Sequence, residues 1–269
     1  MSERLAVEGL RVEVDDGIAT LWLDRPAKRN AVTYDMWNGI AAHCEQLATD
    51  DAVRLLVVRG VGDHFCAGAD IAGMGDVSGG AYRRANEAAD AALAAFPKPS
   101  IAVITGACVG GGTEIAVACD LRLADTTSRF GITPARLGIV YPASATARVV
   151  RLIGPSATKH LLFSAELIDV DRALRIGLVD EVHQPALLDE RVGQLSRLMA
   201  RERSLLTQMA SKEIVDALAS AEGVDPGVEQ RWGRAVAASD DASEGIAAFV
   251  ERRAPNFSWT PARHAEGDR

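Results

Sequence analysis

The sequence predicts an α/β fold with a mostly parallel sheet and a helical C-terminal third. Up to residue 123, short apolar runs alternate with segments of helical spacing, the pattern of strands followed by packed helices. Beyond Pro142 the signals are almost all helical. Apolar residues make up 48% of the 269 and aromatics only 5%, which suits a core packed from Ala, Val and Leu and excludes a disordered chain.

The elements follow in order. Apolar-rich runs over 10–14 and 18–23 flank Asp15-Asp16-Gly17, a short Gly-containing turn that marks a hairpin. After Arg25-Pro26, Thr33 can cap a helix whose apolar positions Met36, Ile40, Cys44 and Leu47 recur at helical spacing. A strand is expected over 53–58, an Ala-rich helix over 83–95, a strand over 101–104, a helix over 113–119 and a short strand over 121–123. Helices are then expected over 146–152, 156–163 and 171–176, one strand over 178–182, and helices over 187–201, 205–219, 228–238 and 243–252. The polar stretch 261–269 reads as a frayed tail. No repeat, low-complexity tract or long linker interrupts the chain, so a single domain with a helical extension is expected.

Composition excludes several functions. A formal charge of −8 argues against a nucleic-acid or anionic-membrane partner, while a local basic cluster could still hold a phosphorylated small molecule. Cys44, Cys66, Cys108 and Cys119 lack CxxC spacing and read as small buried thiols rather than disulfides. His43, His64, His160, His183 and His264 form no metal-binding pattern. The start of the chain has no apolar signal core and no stretch approaches ~18 uninterrupted apolar residues, so cytoplasmic residence is the expectation. Gly60-Val61-Gly62 follows a strand, but Phe65 stands where a dinucleotide fingerprint needs its third glycine. Neither a GxxxxGK[ST] phosphate loop nor a GxSxG nucleophile elbow is present.

What remains is an acid behind a glycine triplet, Gly110-Gly111-Gly112-Thr113-Glu114, where the apolar strand over 101–104 gives way to a helix. Helix starts leave their first N–H groups unpaired and carry partial positive charge, so a substrate oxygen that turns anionic would be held there. A second turn, Phe65-Cys66-Ala67-Gly68-Ala69-Asp70, follows the apolar run over 55–58. Donors from two such turns aimed at one point would form an oxyanion hole. The chain therefore reads as an enzyme. Each residue also has a plainer reading: Glu114 as a partner of the helix dipole, the triplet as close packing, Asp70 as a turn acceptor rather than a base, Tyr141 as a core tyrosine with one hydrogen bond.

With Leu23-Asp24-Arg25-Pro26-Ala27-Lys28-Arg29-Asn30-Ala31 upstream, these blocks resemble the crotonase family, the enoyl-CoA hydratase/isomerase superfamily. The resemblance extends through Phe130-Gly131-Ile132-Thr133-Pro134-Ala135-Arg136-Leu137-Gly138, through 173–181 and through 244–253, nearly the whole chain. It implies a spiral of ββα units as the core over 1–200 and a helical C-terminal region over 201–269 that packs trimers, often paired into hexamers. It implies an acyl-CoA thioester as substrate and no separate cofactor. By position, the N–H groups of Ala69 and Gly111 match the family's oxyanion hole, and Glu114 matches the glutamate that orients and deprotonates water. Ala67, Asp70 and Ile71 fall in the same CoA-binding block. Arg25, Lys28 and Arg29 suit CoA phosphates, and Phe249 matches a C-terminal aromatic near the CoA of a neighbouring subunit.

One departure stands out. The hydratases carry a second glutamate after the proline of the Phe-Gly block, and here Ala135 occupies that place. A methyl group exchanges no proton, so two-carboxylate acid–base catalysis is not available in its usual form. The leading expectation is an enoyl-CoA hydratase, adding water to a 2-enoyl-CoA. A malonyl-type acyl-CoA decarboxylase is the alternative, because Tyr141 falls where the methylmalonyl-CoA decarboxylase branch has an active-site tyrosine, although that branch has histidine at Ala69. A non-catalytic acyl-CoA binder is the third. Glu87 and Asp90 are candidates for a replacement acid.

Overall fold

The computed structural model describes residues 5–71, 78–219 and 227–261. Strands β1 (Leu10–Asp15) and β2 (Ile18–Leu23) form an antiparallel hairpin in register from Leu10↔Leu23 to Asp15↔Ile18. Its turn residues Asp16 and Gly17 have φ of 51° and 82°, the two left-handed positions that a two-residue hairpin turn requires.

From β2 onward one pattern recurs four times: a strand in a large sheet, a short strand or bridge in a small second layer, then a helix. The first unit is β2, Val32 and α1 (Tyr34–Thr49). The second is β3 (Leu55–Gly60), the segment 66–69 and α2 (Gly79–Ala94). The third is β4 (Ser100–Ile104), β5 (Ala107–Val109) and α3 (Gly111–Ala118). The fourth is β6 (Leu121–Asp125), β7 (Arg129–Gly131) and α4 (Ala143–Ser164). With β9 (Glu181–His183), the large sheet runs β1-β2-β3-β4-β6-β9 and is parallel after the hairpin. The small layer is stitched by Val32↔Ala69, Cys66↔Cys108 and β5 beside β7, all parallel, and β8 (Ile168–Asp169) closes it antiparallel to β7.

Both faces of the large sheet are covered, which is why its inner strands are apolar without alternation. Leu21, Leu56, Val58, Ala102 and Ile104 pack in the main core with Met36, Ile40 and Cys44 of α1. Leu55, Val57, Ile101, Val103 and Leu123 pack in a second core with Leu188 and Val192 of α6 (Pro185–Arg201). Thr33 caps α1 by accepting from Met36 N–H at 3.2 Å. Its C-terminal end is held by fully buried Lys98, whose Nζ donates to the carbonyls of Leu47 and Asp50, satisfying acceptors that the helix leaves open.

The helical third comprises α5 (Val170–Arg175), α6, α7 (Leu205–Ala219), α8 (Gly227–Ala237) and α9 (Asp241–Glu251). Leu205, Leu206, Met209, Ala235 and Trp259 make a separate apolar cluster there, and Lys212 of α7 reaches back to Asp120 at 2.9 Å. Among the described residues no helix is long and apolar enough to cross a membrane.

Most expected elements are present, with shifted edges. The strand expected over 53–58 is β3 two residues later, the one over 178–182 is β9, and the helix expected from 113 begins at Gly111. The two helices expected over 146–152 and 156–163 are both present within Ala143–Ser164, separated at Gly154, whose φ is 73°, with Pro155 starting the second as Pro does at a first helical turn. The strands β5, β7 and β8 were not expected, since runs of two or three residues carry no periodicity. Of the polar tail, 262–269 lie outside the described residues.

Candidate active site

The small layer brings the two glycine turns together. The Cys66↔Cys108 bridge sets the segment 66–69 beside β5, and β5 leads directly through Gly110 into α3. Asn30 locks the arrangement from beneath. Fully buried, it accepts from Arg25 N–H at 2.9 Å and donates to the carbonyls of Val61 and His64, tying the loop after β2 to the loop after β3.

Each glycine of the triplet has its own reason. Gly110 has φ 56°, a conformation that a side chain would strain. A Cβ on Gly112 would stand 2.3 Å from the Cys66 carbonyl oxygen, so only glycine lets α3 approach the segment 66–69. A Cβ on Gly111 would lie 3.0 Å from the Trp37 ring and 3.4 Å from the Ala69 nitrogen, and one on Gly68 would lie 3.6 Å from the Gly111 nitrogen. The amides of Ala69 and Gly111 therefore border the same small space.

Both amides are available there. Val32 N–H donates to Gly68 C=O at 2.8 Å and Asp70 N–H to Val32 C=O at 2.8 Å. Along an extended segment successive N–H groups alternate in direction, so Ala69 N–H points away from Val32 and toward β5 and α3. Gly111 opens α3 and has no carbonyl one turn earlier in the helix to receive its N–H. Among the described residues neither amide donates to a main-chain oxygen.

A cavity of about 550 Å³ opens over them, lined by Ala67, Gly68, Ala69, Ile71, Gly110, Gly111 and Glu114, by Trp37 and Tyr82, and by Thr133, Pro134, Leu137 and 139–143 of the loop leading into α4. Glu114 is 3% exposed. Asn86 of α2 donates to its Oε1 at 3.0 Å. Burial, reinforced by the nearby Asp90 charge and opposed by the Asn86 hydrogen bond, pushes its carboxyl up to about 8. Asp90 itself is held by Arg148 and Ser144, each at 2.6 Å. An acid in this state sits near the working pH of a group that must both take and return a proton.

Tyr141 is half-buried in the cavity wall and donates its hydroxyl proton to Gly110 C=O at 2.9 Å. Ala135 is exposed on a short turn, with Pro134 and Leu137 on either side of it lining the cavity. Of the replacement acids expected, Glu87 lines the cavity while exposed and loosely paired with Arg83, whereas Asp90 is buried behind Asn86 in its ion pair with Arg148.

Other expected site residues lie further out. Arg25 is not free for a phosphate: its guanidinium pairs with Asp70 at 2.9 Å and donates to Ala31 C=O at 2.7 Å. Asp70 is thereby a structural partner. Lys28 and Arg29 are exposed, and the Arg29 carbonyl receives Ala67 N–H beside the cavity. Phe249 lies on α9, 85% exposed, and lines a different groove with Leu206 and Ile246. Trp37, Tyr82 and Asn86 were not anticipated as site residues. Their signal was faint but present, since Tyr82, Asn86, Ala89 and Leu93 follow helical spacing and put a polar residue on an apolar stripe.

A family model described as Enoyl-CoA hydratase/isomerase matches residues 13–260. The chain belongs to the enoyl-CoA hydratase/isomerase family. Crotonyl-CoA hydratase of Syntrophomonas wolfei is 33% identical over 257 residues, 94% of this chain and 99% of that protein. The 2,3-dehydroadipyl-CoA hydratase of Escherichia coli is 33% identical over 241 residues, 89% of this chain and 94% of that one. Among solved structures, an enoyl-CoA hydratase/carnithine racemase from Magnetospirillum magneticum superposes with a TM-score of 0.89 at 29% identity, covering 94% of this chain and 96% of that chain. The mixed α/β architecture with its helical C-terminal region is thus that of the enoyl-CoA hydratase/isomerase family, and the four ββα units described above are how this chain builds it.

Proposed function

We propose that the protein is an enoyl-CoA hydratase in which one carboxyl, Glu114, both takes the proton that the added water releases and returns it to the α-carbon. The observation that carries this reading is the buried Glu114 carboxyl in the same cavity as the two free amides of Ala69 and Gly111. Those amides would receive the thioester oxygen and hold the charge that collects on it as water adds to the β-carbon. Removing one such donor costs on the order of 10²–10³ in rate.

The steps balance with one acid. Ionised Glu114 takes a proton from water as the water oxygen bonds to the β-carbon, and the electron pair of the double bond moves onto the thioester as an enolate. The carboxyl, now protonated, then delivers that proton to the α-carbon. Ala135 takes no part, and Glu87 is solvated at the cavity rim. The malonyl-type alternative needs Tyr141 to donate to a substrate carboxylate, but its one proton is committed to Gly110 C=O. A non-catalytic binder would take up enoyl-CoA thioesters and turn none of them over.

Lys28 and Arg29 would meet the CoA phosphates. The exposed apolar residues Ile246, Phe249 and Val250 of α9 suit burial against another copy in a homotrimer, which sedimentation would test. The functional test is turnover of crotonyl-CoA and longer 2-enoyl-CoA thioesters, followed as loss of the enoyl absorbance. Wild type should hydrate at least one of them, and Glu114→Gln should bind it without turnover. Unaltered activity in Glu114→Gln would remove this reading.

A further inference from the structure

The amide that Gly111 offers belongs to the same rigid peptide unit as the Gly110 carbonyl. In a trans peptide the N–H and C=O point in opposite directions and cannot turn independently. Whatever grips the Gly110 oxygen therefore aims the Gly111 N–H. Gly110 needs such a grip, because it sits at φ 56° and ψ −114° and glycine has a wide range of accessible conformations.

Two donors hold that oxygen. One is Glu114 N–H at 3.0 Å, the ordinary first bond of α3. The other is the Tyr141 hydroxyl at 2.9 Å, which comes from the cavity loop and not from the helix. The companion peptide is held in the same sense: Gly68 C=O, on the unit that presents Ala69 N–H, accepts from Val32 N–H at 2.8 Å. The hold is main chain alone at Gly68, and main chain together with a phenol at Gly110.

We propose that Tyr141 is a positioning residue of the oxyanion hole: by donating to Gly110 C=O it sets the direction and the donor strength of Gly111 N–H. This rests on reading Ala69 and Gly111 as the amides that receive the thioester oxygen. A hydrogen bond accepted at the carbonyl polarises the whole amide, so its N–H becomes a better donor. Burial and the neighbouring Glu114 push the phenol well above its ordinary value of 10, so the proton stays on the hydroxyl throughout the working range. The role differs from contact with substrate, since the hydroxyl acts from behind the peptide.

The readout is the polarisation of a bound thioester. Cinnamoyl-CoA bound to the full-length protein should show a red-shifted absorbance and a lowered carbonyl stretching frequency, both set by the strength of the two N–H donors. Tyr141→Phe keeps the ring and loses the donor. Its shift should be smaller than that of wild type, with KM for the enoyl-CoA near the wild-type value. If one bond changes donor strength by some 10–30%, kcat should fall about two- to eight-fold. A merely structural tyrosine would lower the thermal midpoint without moving the shift of the folded fraction. Should Tyr141→Phe fold poorly, 3-fluorotyrosine placed at 141, a more acidic phenol and stronger donor, should enlarge the shift. An unchanged shift in the substituted protein overturns the proposal. Wild type that shifts the spectrum but hydrates no enoyl-CoA would sink the hydratase reading and leave this one standing, and wild type with no shift would overturn both.

Discussion

Replacing Glu114 by glutamine should cost the protein its turnover and raise its stability. The carboxyl is 3% exposed, and burial with the Asp90 charge nearby raises it from 4.5 to about 8 in the folded chain. In the unfolded chain it ionises at its ordinary value. Between those two values the unfolded state has released a proton that the folded state keeps, so the stability due to this group is complete below pH 4.5 and is lost as pH rises to about 8. At ~1.4 kcal/mol per pH unit across that window, glutamine should be favoured over the acid by about 3 kcal/mol at pH 7 and about 5 kcal/mol above pH 8. Its amide oxygen can still accept from Asn86, so the Asn86 donor keeps its partner. Urea unfolding followed by tryptophan fluorescence at pH 4.5, 7 and 9 should give two curves that coincide in acid and separate steadily toward alkali. Curves that stay parallel across that range would mean that folding does not perturb this carboxyl, and the single-acid mechanism would lose its physical basis.

Three further outcomes follow from the same geometry. Because Glu114 must be ionised to take the water proton, kcat/KM for hydration should climb with pH through about 8, and a profile flat from pH 6 to 9 would remove it as the base. Asn86→Ala deletes a hydrogen bond that favours the charged carboxyl, so the midpoint of that profile should move to higher pH, and a move downward would contradict the assignment. The glycines should separate by function: Gly111→Ala places a methyl 3.4 Å from the Ala69 nitrogen, whereas Gly112→Ala drives one to 2.3 Å from the Cys66 carbonyl oxygen. Circular dichroism should find the first folded but slowed by roughly 10² or more, and the second unfolded or severely destabilised; the reverse order would refute the reading of the triplet.

Much of the site could be read directly from residue types and spacing. An acid behind three glycines at a strand-to-helix junction, and a second small-residue turn after another strand, each mark exposed amides, because helix starts and glycine turns leave N–H groups unpaired. Arg25 shows the limit of such reading. It clusters with Lys28 and Arg29 as if for a phosphate, yet Asp70, 45 positions later, arrives beside it and takes its charge. Asn86 is the complementary case: it looks like one more polar residue in an Ala-rich helix, and its importance exists only because α3 carries Glu114 against that face.

The periodic parts of the chain, the hairpin, the helices of ten or more residues and the apolar strands of the large sheet, follow from the sequence by itself, because burial repeats at fixed intervals along it. The small second layer does not, since single bridges such as Cys66↔Cys108 have no period and form only once the large sheet has placed their neighbours. Tertiary structure alone decides that two turns some forty residues apart present their amides to one space. It also decides that Tyr141 is spent on Gly110 and that the Glu114 carboxyl keeps its proton near neutrality. Orientation and proton affinity depend on what surrounds a group, and those surroundings are assembled from segments far apart in the chain.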